Sequence, residues 1–229
     1  MTVAERLRRI EERIAAACRR AERDPRSVRL VGASKTQPAV RIAEAYAAGL
    51  SCMGENRVQE GVAKAAELPA EIDWHLLGPL QSNKVRPAVR LFSHVHAIDR
   101  ASIAFDLDRE AAKQGRTITG LLEVNLGGES SKHGFAAETL AATVAPLAAL
   151  PHCRIRGLMA IPPPAPTGEG SRPWFRELRR LREELDRLPE WDGRLSELSM
   201  GMSGDFEVAI EEGATFVRVG SDLFGPRDA

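Results

Sequence analysis

Val28-Arg-Leu-Val-Gly-Ala-Ser34, followed by Lys35-Thr-Gln-Pro38 and a helical pattern closing at Gly49, reads as a strand, a polar loop and a helix. The same alternation recurs along the chain. Apolar runs at 28–34, 50–54, 74–78, 95–99, 118–125, 155–161, 195–200 and 215–220 predict eight strands. Helical spacing falls between them near 56–67, 83–91, 100–114, 135–149, 171–189 and 203–213. Strands separated by helices favour parallel βαβ units, and eight of them close naturally into an α/β barrel of the (β/α)8 TIM type. An open doubly wound sheet is the alternative, but no GxGxxG opens any of the helices.

Working outward, Val3, Leu7, Ile10, Ile14 and Cys18 lie at helical spacing and predict an extra N-terminal helix ending before Asp24-Pro25. Only 221–229 follow the last strand, too few for a full closing helix, so residues 1–24 are expected to cover that side of the barrel. The one stretch of loop composition, Ile161-Pro-Pro-Pro-Ala-Pro-Thr-Gly-Glu-Gly170, is too short to divide domains, and residues 1–229 read as a single domain. Ser171 is expected to cap the next helix with Pro173 in its first turn, and Pro146 to kink the helix before it.

Hydrophobic residues make up 43% and charged residues 28% of 229, enough for a packed core. Lys plus Arg and Asp plus Glu both total 32, which argues against nucleic acid or an anionic membrane as a partner. Cys18, Cys52 and Cys153 lack CxxC spacing and read as reduced thiols. No run of eighteen apolar residues occurs, and Glu5, Glu11 and Glu12 argue against a transit peptide, so a cytoplasmic protein is expected.

In a barrel of this kind the chemistry sits at the C-terminal ends of the strands. The residues there are Ser34 and Lys35; Glu55, Asn56 and Arg57; Gly78, Gln81, Ser82, Asn83 and Lys84; Asn125; Ser199-Met-Gly-Met-Ser203; and Arg218-Val-Gly-Ser221. A lysine ending an apolar strand sits where water is scarce, a setting that favours the neutral, nucleophilic amine a Schiff base requires. The bland alternative is that Lys35 snorkels to the barrel mouth. Gly- and Ser-rich turns after strands seven and eight suit a phosphate, and Ser203 doubles as a candidate N-cap for the helix running to Gly213. His75 reads as a satisfied core histidine. His94 and His96 are read as facing opposite ways, which denies them a shared metal, and no metal is expected. Gly201-Met-Ser-Gly-Asp205 lacks the last glycine of a nucleophile elbow, so a serine hydrolase is not favoured.

Nearly the whole chain resembles the YggS/PROSC family of pyridoxal 5′-phosphate (PLP) homeostasis proteins, whose fold is shared with the barrel domain of alanine racemase. The resemblance rests on Val31-Gly-Ala-Ser-Lys-Thr36, Gly54-Glu-Asn-Arg-Val-Gln-Glu60, Trp74-His-Leu-Leu-Gly-Pro-Leu-Gln-Ser-Asn-Lys84, Gly157-Leu-Met-Ala-Ile161, Leu198-Ser-Met-Gly-Met-Ser203 and Val217-Arg-Val-Gly-Ser-Asp-Leu-Phe-Gly225. It implies that Lys35 holds PLP as a Schiff base, with Asn56 beside the cofactor and Met159 and Met200 flanking it. It implies also that Ser199, Ser203, Gly220 and Ser221 hold the phosphate and that Arg218 faces the pyridine nitrogen. A cation there disfavours ring protonation and weakens the ring as an electron sink. Arg57 departs from the family, which often has an aromatic there.

The resemblance implies a monomeric carrier that buffers PLP, with apo-PLP enzymes as recipients. Two rivals stand beside it. An amino-acid racemase needs a base opposite the lysine, and the one tyrosine, Tyr46, lies in the first barrel helix. A Schiff-base aldolase usually carries its lysine on the sixth strand, where Met159 stands here.

Overall fold

The computed structural model describes residues 1–128 and 133–225. The chain opens with α1 (Val3–Arg20), started by a capping box in which Thr2 and Glu5 each accept the other's backbone N–H at 3.2 and 2.8 Å. Its buried stripe is Val3, Leu7, Ile10, Ile14, Ala17 and Cys18. Then follow β1 (Arg29–Ala33), α2 (Ala39–Ala47), β2 (Cys52–Glu55), α3 (Val58–Ala65), β3 (Asp73–Leu76), α4 (Val85–Leu91), β4 (His94–Ile98), α5 (Ala101–Lys113) and β5 (Ile118–Asn125). The second half runs β6 (Phe135–Ala136), α6 (Leu140–Val144), β7 (Cys153–Met159), α7 (Arg172–Asp186), β8 (Glu197–Ser199), α8 (Phe206–Glu211), β9 (Phe216–Val219) and α9 (Ser221–Phe224).

The sheet order is β4-β3-β2-β1-β9-β8-β7-β5-β6, and pairing of β4 with β5 closes it. All pairings are parallel, so the eight predicted strands form a closed parallel barrel. Two apolar layers result. A large shell fills the space between strands and helices, while Val31, Leu121, Met159 and Phe216 pack together in a smaller cluster. The side of the last strand is covered by α1, which packs on α8 and α9. Arg13 of α1 binds Glu207 at 2.6 Å and Asp222 at 2.7 Å, and Arg20 binds Glu211 at 2.6 Å.

Several local expectations are corrected. The predicted helix at 135–149 begins with the short strand β6 on the edge of β5, and after Val144 it tightens into a 3-10 turn carrying Pro146. Ser171 occupies the N-cap position of α7 with Pro173 in the first turn, but its side chain makes no capping bond. Ser203 does not cap α8. That place is taken by Asp205, whose Oδ1 accepts from Met202 N at 2.7 Å, and the helix is only six residues long.

Candidate functional site

The C-terminal ends of β1, β2 and β9 and the turn after β8 enclose a cavity of about 260 Å³. Six of the expected residues line it: Lys35, Asn56, Ser203, Arg218, Gly220 and Ser221. Met159, Ser199 and Met200 do not; all three are buried away from its wall. Met159 packs beside Val31 and Phe216, and Met200 belongs to the large shell. Gln37, Leu77, Ile161, Met202 and Gly204 line the cavity without having been singled out. Ile161 and Met202 stand 46% and 40% exposed at its rim.

Lys35 lies two residues beyond the end of β1 and is half-buried, and its amine has no hydrogen-bond or ion-pair partner among the described residues. The next residue, Thr36, has φ +64°, a left-handed conformation that a β-branched side chain rarely adopts. This strained turn redirects the chain immediately after the lysine. Behind it Ser34 is pinned: its Oγ donates to Glu55 Oε1 at 2.6 Å, and Lys64 Nζ donates to Ser34 O at 2.9 Å and Glu55 Oε1 at 2.7 Å. Asn56 is held where it is by close backbone packing. A Cβ on Gly78 would lie 2.4 Å from Asn56 O.

On the turns after β8 and after β9, the neighbour of β1, Ser203, Gly204, Gly220 and Ser221 line the same space as Lys35. Ser203 Oγ also accepts from Asp222 N at 3.4 Å, which ties the two turns together. Arg218 donates to Ser199 Oγ at 2.6 Å and to Ala160 O at 3.2 Å, and no carboxylate of the described residues binds it directly. Burial pushes its pKa down to about 10, countered in part by Asp205 and Glu123. Burial, reinforced by Asp99, raises Glu123 above the usual carboxylate range. The donors fit a small phosphorylated aldehyde: an amine, two serines on Gly-containing turns, and a cation on the wall.

Other cavities lie elsewhere. One of about 510 Å³ shares Asn56 and brings in Arg57, Lys84, Arg100 and His133 around the paired Asp99. The larger, about 710 Å³, lies beside the start of β7, away from the strand ends that carry chemistry in this fold.

His75 is a core histidine, bonded to His96 at 2.9 Å and Asp73 at 3.1 Å. The expectation that His94 and His96 face opposite ways is wrong. Residues two apart on a strand share a face, and both rings gather with His75 around Phe216. Cys52, Asp73 and His75 bring potential ligand atoms within 4.8 Å of one another. Asp73 and His75 already satisfy each other, and burial drives the Cys52 thiol upward, toward its neutral form.

Burial pushes His94 down to about 3, lowers His75, and holds His96 well below the usual imidazole range. Each folded-state value lies below the unfolded one, so the unfolded chain binds protons that the folded chain refuses. Stability conferred by the neutral rings is therefore lost as pH falls from about 6.5 toward 3. The urea midpoint is expected to drop steadily across that window. A flat midpoint would contradict the neutral cluster.

Comparison with known proteins places the class first. Residues 6–228 match the family model described as the alanine racemase N-terminal domain, and an alanine racemase of Clostridium difficile shares the fold with a TM-score of 0.72 at 14% identity, over 89% of this chain and 53% of that one. Within the class the chain belongs to the pyridoxal phosphate homeostasis protein family. It is 46% identical over 228 residues to the protein of that name from Aquifex aeolicus, covering 99% of each. The Escherichia coli K12 relative of that name is 40% identical over 230 residues, 99% of this chain and 97% of that protein. PipY of Synechococcus elongatus, whose structure was solved with PLP bound, superposes with a TM-score of 0.85 at 43% identity, over 98% of this chain and all (100%) of PipY.

Proposed function

We propose that this chain binds PLP in the 260 Å³ cavity as a Schiff base on Lys35, and that it carries and buffers the cofactor rather than using it for catalysis. The observation that carries the reading is the half-buried amine of Lys35, unpartnered among the described residues, on a cavity that Ser203, Gly204, Gly220 and Ser221 also line. Bound PLP supplies an aldehyde that condenses with an amine and a pyridine ring that accepts electrons. The protein's part is to hold the phosphate between the turns after β8 and β9, to present the amine, and to exclude water with Leu77, Ile161 and Met202. The PLP named in the relatives' descriptions supports the same ligand.

Ser203→Ala and Ser221→Ala are each expected to weaken PLP binding about ten- to a hundredfold, the worth of one hydrogen bond to a charged group at about 1.5–3 kcal/mol. Pyridoxal, which lacks the phosphate, should hardly distinguish the variants from the wild type. Equal losses for both ligands would move the phosphate elsewhere.

The carrier reading rests on what lines the cavity. Among the described lining residues there is no carboxylate, histidine or tyrosine to act as a second acid–base group beside Lys35, and Arg218 opposes protonation of a ring nitrogen in the same space. Tyr46, the one tyrosine, packs against the large shell instead. A missing acid–base partner costs roughly 10²–10⁴-fold in rate. Exchange of the alanine Cα hydrogen with deuterated water is therefore expected to stay near the rate of free PLP. Enzyme-like exchange that vanishes in Lys35→Ala would make the chain a racemase-like enzyme. The three cysteines are free and buried, and no helix among the described residues is long and apolar enough to cross a membrane. A cytoplasmic monomer that supplies apo-PLP enzymes is the setting this reading proposes.

A further inference from the structure

We propose that Ser199, His96, His75 and Asp73 form a one-directional hydrogen-bond relay through the barrel interior that positions Arg218 in the cofactor cavity, with Ser199 and His96 as its positioning residues. The links run from Arg218 Nη1 to Ser199 Oγ at 2.6 Å and from Ser199 Oγ to His96 Nδ1 at 2.7 Å. They continue from His96 Nε2 to His75 Nδ1 at 2.9 Å and from His75 Nε2 to Asp73 Oδ2 at 3.1 Å. Asp73 Oδ1 is taken by the Ser93 hydroxyl. The relay thus begins at the cavity and ends at the first residue of β3, where the Asp73 side chain is 38% exposed at the opposite mouth.

The chemistry of the two ends sets the direction. A guanidinium only donates, and an ionised carboxylate only accepts. Ser199 Oγ accepts from Arg218, and its own hydrogen goes to His96 Nδ1. His96 is then protonated on Nε2 and donates to His75, which is protonated on Nε2 and donates to Asp73. Reversing the order would set the lone pair of His75 Nε2 against the carboxylate of Asp73. Every link therefore holds one proton and both rings are neutral. The charged and titratable groups around them, Arg29 from β1, Asp73 from β3, His94 from β4 and Arg218 from β9, leave that assignment unchanged, because burial dominates for both rings.

The arrangement explains why Ser199 is absent from the cavity wall. Its hydroxyl is the neutral acceptor that fixes a buried arginine without cancelling its charge, as a carboxylate in the same place would. Asp73 lends the acceptor its polarity from a distance, since successive hydrogen bonds polarise one another. Arg218 consequently keeps its charge toward whatever occupies the cavity, moderated only at longer range by Asp205 and Glu123.

The inference rests on PLP as the occupant, and its test separates the two. Long-range ¹H–¹⁵N NMR of the imidazoles, with and without PLP, should show His75 and His96 as neutral Nε2–H tautomers from pH 5.5 to 8. A charged ring, or an Nδ1–H tautomer at either, overturns the relay whether or not PLP binds. In the PLP-loaded protein, Ser199→Ala and His96→Leu should weaken binding about tenfold and make the visible absorption maximum dependent on pH, and Ser199→Thr should restore the wild-type spectrum. Asp73→Asn is remote from the cavity and half-exposed, so it keeps the test open if the interior variants fail to fold. It should move the His96 resonances and the PLP spectrum in the same sense. A PLP spectrum identical to wild type in Asp73→Asn and in every folded interior variant would overturn the proposal. Failure of the wild type to bind PLP would instead sink the cofactor reading, with the tautomers still deciding the relay.

Discussion

Lys35→Ala is expected to lose the visible absorbance of protein-bound PLP altogether, and to retain only the affinity contributed by the phosphate contacts. The covalent link needs a primary amine at this place, and the described lysines elsewhere are differently engaged. Lys64 is bound to Glu55, and Lys113 lies exposed beside Glu110. Lys84 lines the neighbouring cavity, and Lys132 lies outside the described residues. Lys35→Arg is the sharper control, because it keeps the charge and most of the volume but cannot condense with an aldehyde at neutral pH. A PLP titration followed by absorbance and by quenching of intrinsic fluorescence reports both quantities. Retention of the full band in either variant would place the amine elsewhere.

Lys64→Met is expected to destabilise the fold by about 3 kcal/mol, the low end of the range for removing one partner of a buried ion pair. Glu55 is fully buried, and of its two carboxylate oxygens one accepts from Lys64 and Ser34 while the other has no partner. Removing the amine leaves a buried charge held by one hydroxyl, and it frees the carbonyl of Ser34 just before Lys35. Urea unfolding should therefore show a lower midpoint at unchanged slope, and PLP affinity should fall with it. Pairing Lys64→Met with Glu55→Gln should recover much of the stability, since the uncompensated charge is then gone. A loss below about 1 kcal/mol in Lys64→Met would mean that the pair is effectively solvated.

Those two lysines mark how far the sequence could be read. Lys35 was legible because a strand end in a barrel is a chemical address, and the regular spacing of eight apolar runs supplied the barrel. Lys64 was not, because a lysine in an amphipathic helix looks solvated until the fold turns it onto Glu55. Ile161, read as the end of an apolar run, and Met202, read as part of the turn after strand seven, both stand at the cavity rim, a placement their sequence positions did not indicate. Ser199 and Met159 follow from strand periodicity in the opposite way: they face inward, but below the cavity. The misreading of His94 and His96 hid the interior relay, although the two-residue period that pairs them was present in the sequence. Asp205 displaced Ser203 as the α8 cap because the turn after β8 takes one further residue pair to reach the helix, a detail of loop geometry that composition does not carry.

The central claim is that one amine of this chain holds the cofactor. Borohydride reduction of the PLP-loaded protein, followed by proteolysis and mass spectrometry, addresses it directly, and with five lysines in the chain the map is simple. The account predicts a phosphopyridoxyl group on Lys35 at close to one per chain. A label found mainly on Lys84 or Lys132, with Lys35 recovered unmodified, would contradict it.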